Sequence, residues 1–267
     1  MSELDNKIHA SLLNFLTHNE PSKPVLENAL RLLAKYRSRL IENTLLADTG
    51  TKVIGGPFAG MDYVERAAEG CHAPKLLGCY EEELHDYLQG LPGMGLSMVL
   101  NIGCAEGYYA VGIKRLLPEV EVFAFDVDPN AQAGCKALAA KNKVEIDVQG
   151  QFSIEDFGRF SQTGGRVLVW CDIEGSEAEL LDPVQAPALR TMDLVVELHE
   201  TPAGHTRNIV PDRFRETHDI EIRMPRMHNP TLPACLSEVS DLDRLLAQWE
   251  WRSNPTPWAV LRPRGRA

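Results

Sequence analysis

A short glycine-containing stretch holds the densest group of residues whose types and spacing favour ligand binding. It is an apolar run that leads into a turn, Val99-Leu100-Asn101-Ile102-Gly103-Cys104-Ala105-Glu106-Gly107. Because glycine has no Cβ, Gly103 and Gly107 would let the backbone approach a ligand closely. A helix is predicted to start directly afterwards, and its free N–H groups favour polar ligand atoms. The stretch therefore predicts a ligand site at the end of a buried strand.

The spacing of the glycines narrows the class of ligand. A dinucleotide site would show G-x-G-x-x-G, whereas three residues separate the glycines here, and Glu106 places a negative charge where a diphosphate would lie. The next predicted strand ends at Asp126, whose carboxylate can accept hydrogen bonds from both hydroxyls of a ribose. Asp128, which precedes Pro129, fits a helix N-cap. Together these residues predict a nucleoside cofactor that is zwitterionic and carries no diphosphate.

A second group of candidate residues consists of carboxylates and a histidine at two later strand ends. Asp172 follows one predicted strand, and Glu197 and His199 belong to the next, where alternation puts both side chains on one face. If these strands are neighbours, all three residues lie beside the glycine loop. An imidazole with an ordinary pKa near ~6.5 suits a general base at neutral pH.

Three interpretations of this second group stay open. His199 is a general base, or a hydrogen-bonded histidine at a strand end without chemistry, or a ligand that holds a divalent metal together with Asp172 and Glu197. Such a donor set suits iron or zinc better than magnesium. The sequence favours the base, and no metal ligand is assigned from it. His228, which follows the sixth predicted strand, is a second candidate base.

Alternating strands and helices after Pro92 predict the frame that positions these residues, an α/β fold with a mostly parallel sheet. Seven strands are predicted: Ser97–Ile102, Val120–Phe125, Val144–Val148, Val167–Cys171, Asp193–Leu198, Ile220–Met224 and Trp258–Leu261. Residues 1–92 are predicted to be a mainly helical extension, and residues 93–267 the ligand-binding domain. The extension contains amphipathic helices that are candidates for a lid over a substrate pocket or for the contact of a homodimer.

The glycine stretch and Phe125-Asp126 resemble the first two motifs of class I S-adenosylmethionine-dependent methyltransferases. The stretch Asp172-Ile173-Glu174-Gly175-Ser176-Glu177 is similar to the Asp-x-Glu-Gly-x-Glu signature of FkbM-type methyltransferases, largely O-methyltransferases of small molecules and sugars. The resemblance covers roughly residues 75–200 and implies a Rossmann-like, seven-stranded methyltransferase sheet that binds S-adenosylmethionine. The cofactor residues that it implies are Asn101, Gly103, Glu106 and Gly107 at the methionine part, Asp126 at the ribose, Gln151, Phe152 and Ser153 at the adenine, and Asp172 beside the loop.

The resemblance also implies a reaction, the transfer of a methyl group to a hydroxyl of a small metabolite. His199, Asp172 and Glu197 are the expected catalytic residues. Two other functions stay open, because a glycine loop indicates which cofactor binds and does not indicate which nucleophile reacts with it. One is cofactor chemistry without methyl transfer, such as cyclisation or elimination, and the other is a partner subunit that binds the cofactor without turnover.

Charge and composition exclude several other classes. A formal net charge of −11 disfavours binding to a phosphate backbone, which requires clustered Lys and Arg. The six cysteines form no CxxC pair, so neither a zinc ribbon nor a disulfide framework is expected. The first residues are polar and acidic, unlike a signal peptide, and no apolar run reaches the ~20 residues of a membrane span. We therefore expect a cytoplasmic protein that acts on a small molecule, without nucleic-acid or membrane partners.

Overall fold

A seven-stranded sheet forms the centre of the computed structural model, which describes residues 3–67, 70–162, 164–201, 204–227 and 230–265. Its strands are β1 (Leu96–Ile102), β2 (Glu121–Phe125), β3 (Asp147–Gln149), β4 (Arg166–Cys171), β5 (Asp193–Glu197), β8 (His218–Arg223) and β9 (Trp258–Pro263). Their order is β3-β2-β1-β4-β5-β9-β8. Strand β9 runs antiparallel to both of its neighbours, β5 and β8, and the other neighbouring strands pair parallel. This is the mostly parallel, Rossmann-like methyltransferase sheet that the sequence predicts. A separate short hairpin pairs β6 (Glu200–Thr201) with β7 (Gly204–His205).

Helices precede the sheet and connect its strands. They are α1 (Glu3–Thr17), α2 (Lys23–Thr49), α3 (Ala73–Leu77), α4 (His85–Gly90), α5 (Tyr108–Leu116), α6 (Pro129–Lys141), α7 (Asp156–Ser161), α8 (Glu177–Leu180), α9 (Thr206–Phe214) and α10 (Asp241–Gln248). The long N-terminal helix α2 is joined to α10 by a two-pronged ion pair between Arg37 and Asp243, at 2.6 and 2.7 Å. Within the described ranges, none of the helices has both the length and the apolar character that crossing a bilayer requires.

The central strands are apolar on both faces, as expected for parallel strands covered by helices on each side. In β4, Leu168 and Trp170 belong to one apolar cluster, and Val169 and Cys171 belong to the other. All four are fully buried. This alternation fixes the register of the strand, because a shift by one residue would exchange the side chains of the two layers.

Two elements differ from the sequence prediction. The third strand was expected at Val144–Val148, but pairing starts only at Asp147, opposite Phe123. The reason is local: the N–H of Val144 donates to the carbonyl of Ala139 and so completes the turn that ends α6. In the predicted helical extension, the apolar pattern of Tyr80, Leu84, Tyr87, Leu88 and Leu91 favours one continuous helix over residues 81–91, but the structure breaks it, with a 3-10 turn before α4 and another after it.

The strand order reverses between β1 and β4, which lie side by side. In open α/β sheets this switch point leaves a crevice outside the carboxyl ends of the strands, where ligands bind. Ile102 at the end of β1 lies opposite both Phe125 in β2 and Cys171 in β4. The residues that follow these three strand ends, including Gly103 and Asp172, are therefore brought to one edge.

Candidate active site

The first of two neighbouring cavities opens at this edge and measures about 690 Å³. Gly103 of the glycine loop, Asp126 after β2 and Asp172 after β4 line it. The segment after β3 adds Gln151, Phe152 and Ser153, which are the positions that the resemblance places at an adenine. The volume lies inside the range of ~300–1,000 Å³ typical of small-molecule sites.

Asp126 and Asp128 both take part in local hydrogen bonds, but in different ways. The Asp128 carboxylate accepts from the N–H of Asn130 at 2.9 Å and caps helix α6, as predicted. The two oxygens of Asp126 each accept one backbone N–H at 2.9 Å, from Ala105 and from Asp128. A carboxylate has about four acceptor positions, so Asp126 keeps capacity for the hydroxyls of a ligand.

The second cavity, of about 350 Å³, lies beside the first and shares Ala105, Asp172 and Glu174 with it. Glu197, the last residue of β5, and His199, just beyond it, belong to its wall. Its remaining lining residues are Glu200, next to His199, and a set from distant parts of the chain: Gly70, Lys75, Tyr80, Glu250, Arg252, Ser253, Asn254, Pro255 and Thr256. A ligand in this cavity would therefore lie next to a ligand in the first.

The two glycines of the loop serve close packing between protein segments. Gly103 has φ +79°, and a Cβ at this position would stand 1.6 Å from the carbonyl oxygen of Asp172. Gly107 has φ +93°, and its Cβ would stand 2.8 Å from Sγ of Cys135 in α6. Gly103 also lines the first cavity, whereas Gly107 lines neither cavity. Close packing against other protein segments thus requires both glycines, and Gly103 in addition borders the cavity in which the sequence predicts a ligand.

Glu106 and Asn101 were expected to line the methionine part of a cofactor, and the structure places both side chains elsewhere. Glu106 is buried, and its carboxylate accepts hydrogen bonds from Nζ of Lys75 at 3.0 Å and from the hydroxyl of Tyr63. Burial raises the pKa of Glu106, but the Lys75 charge and these hydrogen bonds outweigh it and lower the pKa. Asn101 is buried too, with its amide 3.5 Å from the carbonyl of Trp170. Neither Glu106 nor Asn101 lines either cavity.

Asp172, Glu197 and His199 do come together, as the sequence predicts. Nε2 of His199 lies 3.3 Å from Oε2 of Glu197 and 3.8 Å from Oδ1 of Asp172. The alternation argument is not the cause, since β5 ends at Glu197 and His199 lies beyond it. The second candidate histidine, His228, lies outside the described residues.

Glu177, on helix α8, fixes the orientation of the imidazole. Its Oε1 lies 2.9 Å from Nδ1 of His199 and also accepts the N–H groups of Ile173 and Gly175 at 3.1 Å. Burial of His199 opposes its protonation, but the hydrogen bonds to Glu177 and Glu197 and their charges raise its pKa to about 11. The environment therefore favours the protonated imidazolium, whereas a general base needs the neutral ring.

The two carboxyl groups beside His199 differ in their protonation. Burial and the neighbouring charge of Glu197 raise the pKa of Asp172 well above its usual value. Burial opposes ionisation of Glu197 as well, but its hydrogen bond to His199 and the charge of Arg252 lower its pKa to about 2. Two carboxyl groups at one site share a proton in this manner and titrate as a pair, with the pKa of Asp172 shifted up and that of Glu197 shifted down.

The sequence missed two residues of this site. Arg252 forms ion pairs with Glu81 and Glu197 and, at 2.8 Å, with Glu250, so it connects three separate segments beside the second cavity. No motif surrounds Arg252 that could have identified it. Glu177 was recognised only as the last residue of the Asp-x-Glu-Gly-x-Glu stretch, and its bond to His199 depends on the tertiary structure.

Comparisons with known proteins give fold-level similarities only. No protein-family model matches the chain, and no curated protein matches it either. Among solved structures, the chain is similar to cofactor-bound Rv0187 from MTB, with a TM-score of 0.47 at 12% identity, over 93% of this chain and 100% of that one. It is also similar to a putative O-methyltransferase from Klebsiella pneumoniae, with a TM-score of 0.44 at 10% identity, over 69% and 80% of the two chains.

A third similar structure is precorrin-6y C5,15-methyltransferase from Geobacter metallireducens, with a TM-score of 0.42 at 13% identity. It covers 62% of this chain and 80% of its own. These similarities are too distant to identify an activity. The assignment of function therefore depends on the residues of the site itself.

Proposed function

We propose that this chain transfers the methyl group of S-adenosylmethionine to a hydroxyl oxygen of a small metabolite. One observation carries the proposal: Asp172 lies in the wall shared by two cavities at the switch point of the sheet. The larger cavity has the size and donor set for a nucleoside, and the smaller contains a cluster of ionisable side chains. This arrangement suits two ligands that must react with each other.

The residues of the first cavity fit the proposed cofactor. Asp126 retains acceptor capacity for a ribose diol, and Phe152 and Ile154 offer apolar surface to an adenine. The carboxyl groups of Asp172 and Glu174 suit a ligand end that carries an ammonium and a sulfonium. When bound, S-adenosylmethionine supplies an electrophilic methyl group on its sulfonium.

The residues of the second cavity would bind the acceptor and take its proton. In the transfer the S–CH₃ bond breaks, an O–CH₃ bond forms, and the hydroxyl proton leaves the acceptor oxygen. Asp172, Glu197 and His199 are the proposed recipients, with both carboxyl groups within 3.8 Å of Nε2. Because the three groups titrate together, we assign the proton to the cluster and to no single member.

We further propose that residues 1–92 form a cap on the catalytic domain of residues 93–267. Lys75 and Tyr80 support this, because both belong to the first segment and line the second cavity. Exposed leucines on α1 and α2, such as Leu13 and Leu30, provide a surface for a homodimer contact. The FkbM subfamily, supported by the Asp172–Glu177 stretch, is likewise part of the proposal.

The decisive experiment measures S-adenosylhomocysteine release by mass spectrometry, with S-adenosylmethionine and a panel of hydroxylated metabolites. We expect release with at least one acceptor, accompanied by a product that is heavier by one methylene. Cofactor binding without release from any acceptor would favour a non-catalytic subunit. Release of methylthioadenosine, or an unmethylated cyclic product, would favour cyclisation or elimination. Absence of cofactor binding in calorimetry would overturn the proposal.

A further inference from the structure

We propose that Asp172, Glu174 and Nε2 of His199 bind a divalent metal ion at the junction of the two cavities. Metal binding stands on its own geometry, whereas any part that the ion plays in methyl transfer rests on the proposed function. The three groups offer one ligand atom each, and these atoms lie within 4.8 Å of one another. A set of two carboxylates and one imidazole suits manganese, zinc or iron.

The distances around Nε2 fit ligands better than hydrogen-bond partners. Nε2 lies 3.4 Å from Oε2 of Glu174 and 3.8 Å from Oδ1 of Asp172, beyond the usual ~2.7–3.2 Å of an N–H···O bond, and its 3.3 Å contact with Oε2 of Glu197 is a long hydrogen bond. With metal–ligand bonds of about 2.0–2.2 Å, atoms that share one ion stand about 3.0–4.4 Å apart. The Glu174 side chain is 79% exposed, so it is free to move the short remaining distance.

An unpartnered atom gives independent support for a missing cation. Oδ1 of Asp172 has lost its access to solvent and accepts no hydrogen bond within the described structure. A buried carboxylate oxygen in that condition is costly unless a positive group satisfies it. Nε2 of His199 lies 3.8 Å from Oδ1, too distant to donate to it, so an ion between the two atoms would give Oδ1 a positive partner.

The second ring nitrogen of His199 is held as it is in metal-binding histidines. Its Nδ1 lies 2.9 Å from Oε1 of Glu177, whose side chain is completely buried. Histidines that bind metals commonly donate the other ring N–H to such a carboxylate, which orients the ring and increases its basicity. Glu177 is thus a positioning residue, and it leaves Nε2 facing the cavity.

The backbone brings Glu174 back towards the histidine. Glu174 has φ +53°, in the left-handed region that is uncommon for residues other than glycine, and Gly175 follows with φ +110°. The Glu177 carboxylate holds this turn through the N–H groups on either side of Glu174. An ion at this point would border both cavities and, if an acceptor hydroxyl bound it, would lower the pKa of that hydroxyl.

The test is calorimetric titration of tag-free, chelator-treated full-length protein with MnCl₂, ZnCl₂ and MgCl₂, in the absence of any nucleoside. We expect one saturable site for Mn²⁺ or Zn²⁺, and affinity lowered at least tenfold in Glu174→Gln and His199→Ala. Glu177→Gln should lower it about 10–100-fold, as loss of an outer-shell carboxylate does. Glu121→Gln is the matched control, because Glu121 is exposed at the opposite end of the parallel strands.

Glu174→Gln keeps the test valid even if other variants fail to fold, because the Glu174 side chain is exposed. The proposal is overturned if no ion binds saturably, or if Glu174→Gln binds as tightly as Glu121→Gln. Paramagnetic broadening by Mn²⁺ of the His199 ring resonances, absent in Glu174→Gln, would add support that does not depend on activity. Saturable metal binding without cofactor binding would keep this site and reject the proposed function, and the converse result would do the reverse.

Discussion

Lys75 and Glu106 form a buried ion pair, with Nζ 3.0 Å from Oε1, although they lie 31 positions apart in the chain. The ammonium group also lies over three tyrosine rings, 5.9 Å from the centroid of Tyr63, 5.0 Å from that of Tyr80 and 5.5 Å from that of Tyr108. The pair connects helix α3 to the glycine loop. It therefore neutralises the loop carboxylate inside the protein and away from the first cavity.

Removing the cation of this pair should be costly. We expect Lys75→Met to lower the free energy of unfolding by about 3–5 kcal/mol, because it leaves the Glu106 carboxylate buried without compensation. The double variant Lys75→Met/Glu106→Gln should recover part of this loss, since no buried charge remains. Chemical denaturation measures both. A Glu106→Gln protein of normal stability whose cofactor affinity is reduced more than tenfold would show that Glu106 faces the ligand after all.

Buried His218 gives a pH dependence of stability with a definite sign. Its Nε2 lies 2.9 Å from the carbonyl oxygen of Met192 and so must donate, while Nδ1 accepts from the hydroxyl of Thr217. Burial lowers the pKa of His218 in the folded protein. The stabilisation is therefore complete above the unfolded pKa of about 6.5 and is lost as the pH falls from there towards the folded pKa.

We expect the wild type to lose stability relative to His218→Gln as the pH falls from 7 to 5, because the variant keeps a donor for Met192 but lacks the titrating ring. Exposed His18 provides the matched control, because His18→Gln should leave the pH dependence unchanged. Denaturation at several pH values gives the measurement. Equal slopes in wild type and His218→Gln would contradict the assignment, as would a His218 ring whose NMR titration midpoint lies above 6.5.

Much of the fold could be predicted from sequence because its signals are local. The strands β4 and β5 are short runs of apolar residues, each with two valines, bounded by polar ones, and the sequence predicts each to within one residue. The early part of the third predicted strand failed for an equally local reason, since the N–H of Val144 completes the turn after α6. A composition that suits a strand does not reveal that competing bond.

The residues of the candidate site also fall into two groups, those whose positions the sequence predicts and those whose positions depend on contacts between distant segments. Asp172, Glu197 and His199 could be placed together because each lies at or just beyond the carboxyl end of β4 or β5, which are neighbouring parallel strands. The direction of the Glu106 side chain could not be predicted, because it depends on Lys75, which is distant in sequence. Arg252 is even more distant in sequence from Glu81 and Glu197, and only the folding of the chain brings these three residues together.

The two aspartates after β2 should separate cofactor binding from helix capping. We expect Asp126→Ala to weaken S-adenosylmethionine binding by about 1–3 kcal/mol, through lost hydrogen bonds to a charged group. Asp128→Ala should lower the free energy of unfolding by about 0.5–2 kcal/mol as a lost N-cap, with a smaller effect on affinity. Calorimetry and denaturation measure the two quantities. If the two variants exchange these effects, the placement of the ribose site is wrong.

Gly103 should be intolerant of any side chain because the carbonyl of Asp172 occupies the space. We expect Gly103→Ala to displace the end of β1 from β4 and to abolish cofactor binding. Gly95→Ala is a matched control: Gly95 has φ +64°, but nothing lies within 4 Å of its Cβ position, so only the backbone cost of about 1–2 kcal/mol applies. Melting temperature and cofactor titration distinguish the two, and equal effects would contradict the packing argument.

The role of His199 is decided by turnover measured together with folding. If the cluster of Asp172, Glu197 and His199 takes the acceptor proton, His199→Ala should lower turnover by about 10²–10⁴-fold and change cofactor affinity only a few-fold. His18→Ala, at an exposed position, is the control and should leave both unchanged. If His199 instead holds a metal ion, chelator should abolish wild-type activity, an added divalent ion should restore it, and Asp172→Ala should be as damaging as His199→Ala. If the ring is only structural, the melting temperature should fall while the folded fraction turns over normally, and that result would remove His199 from the catalytic residues.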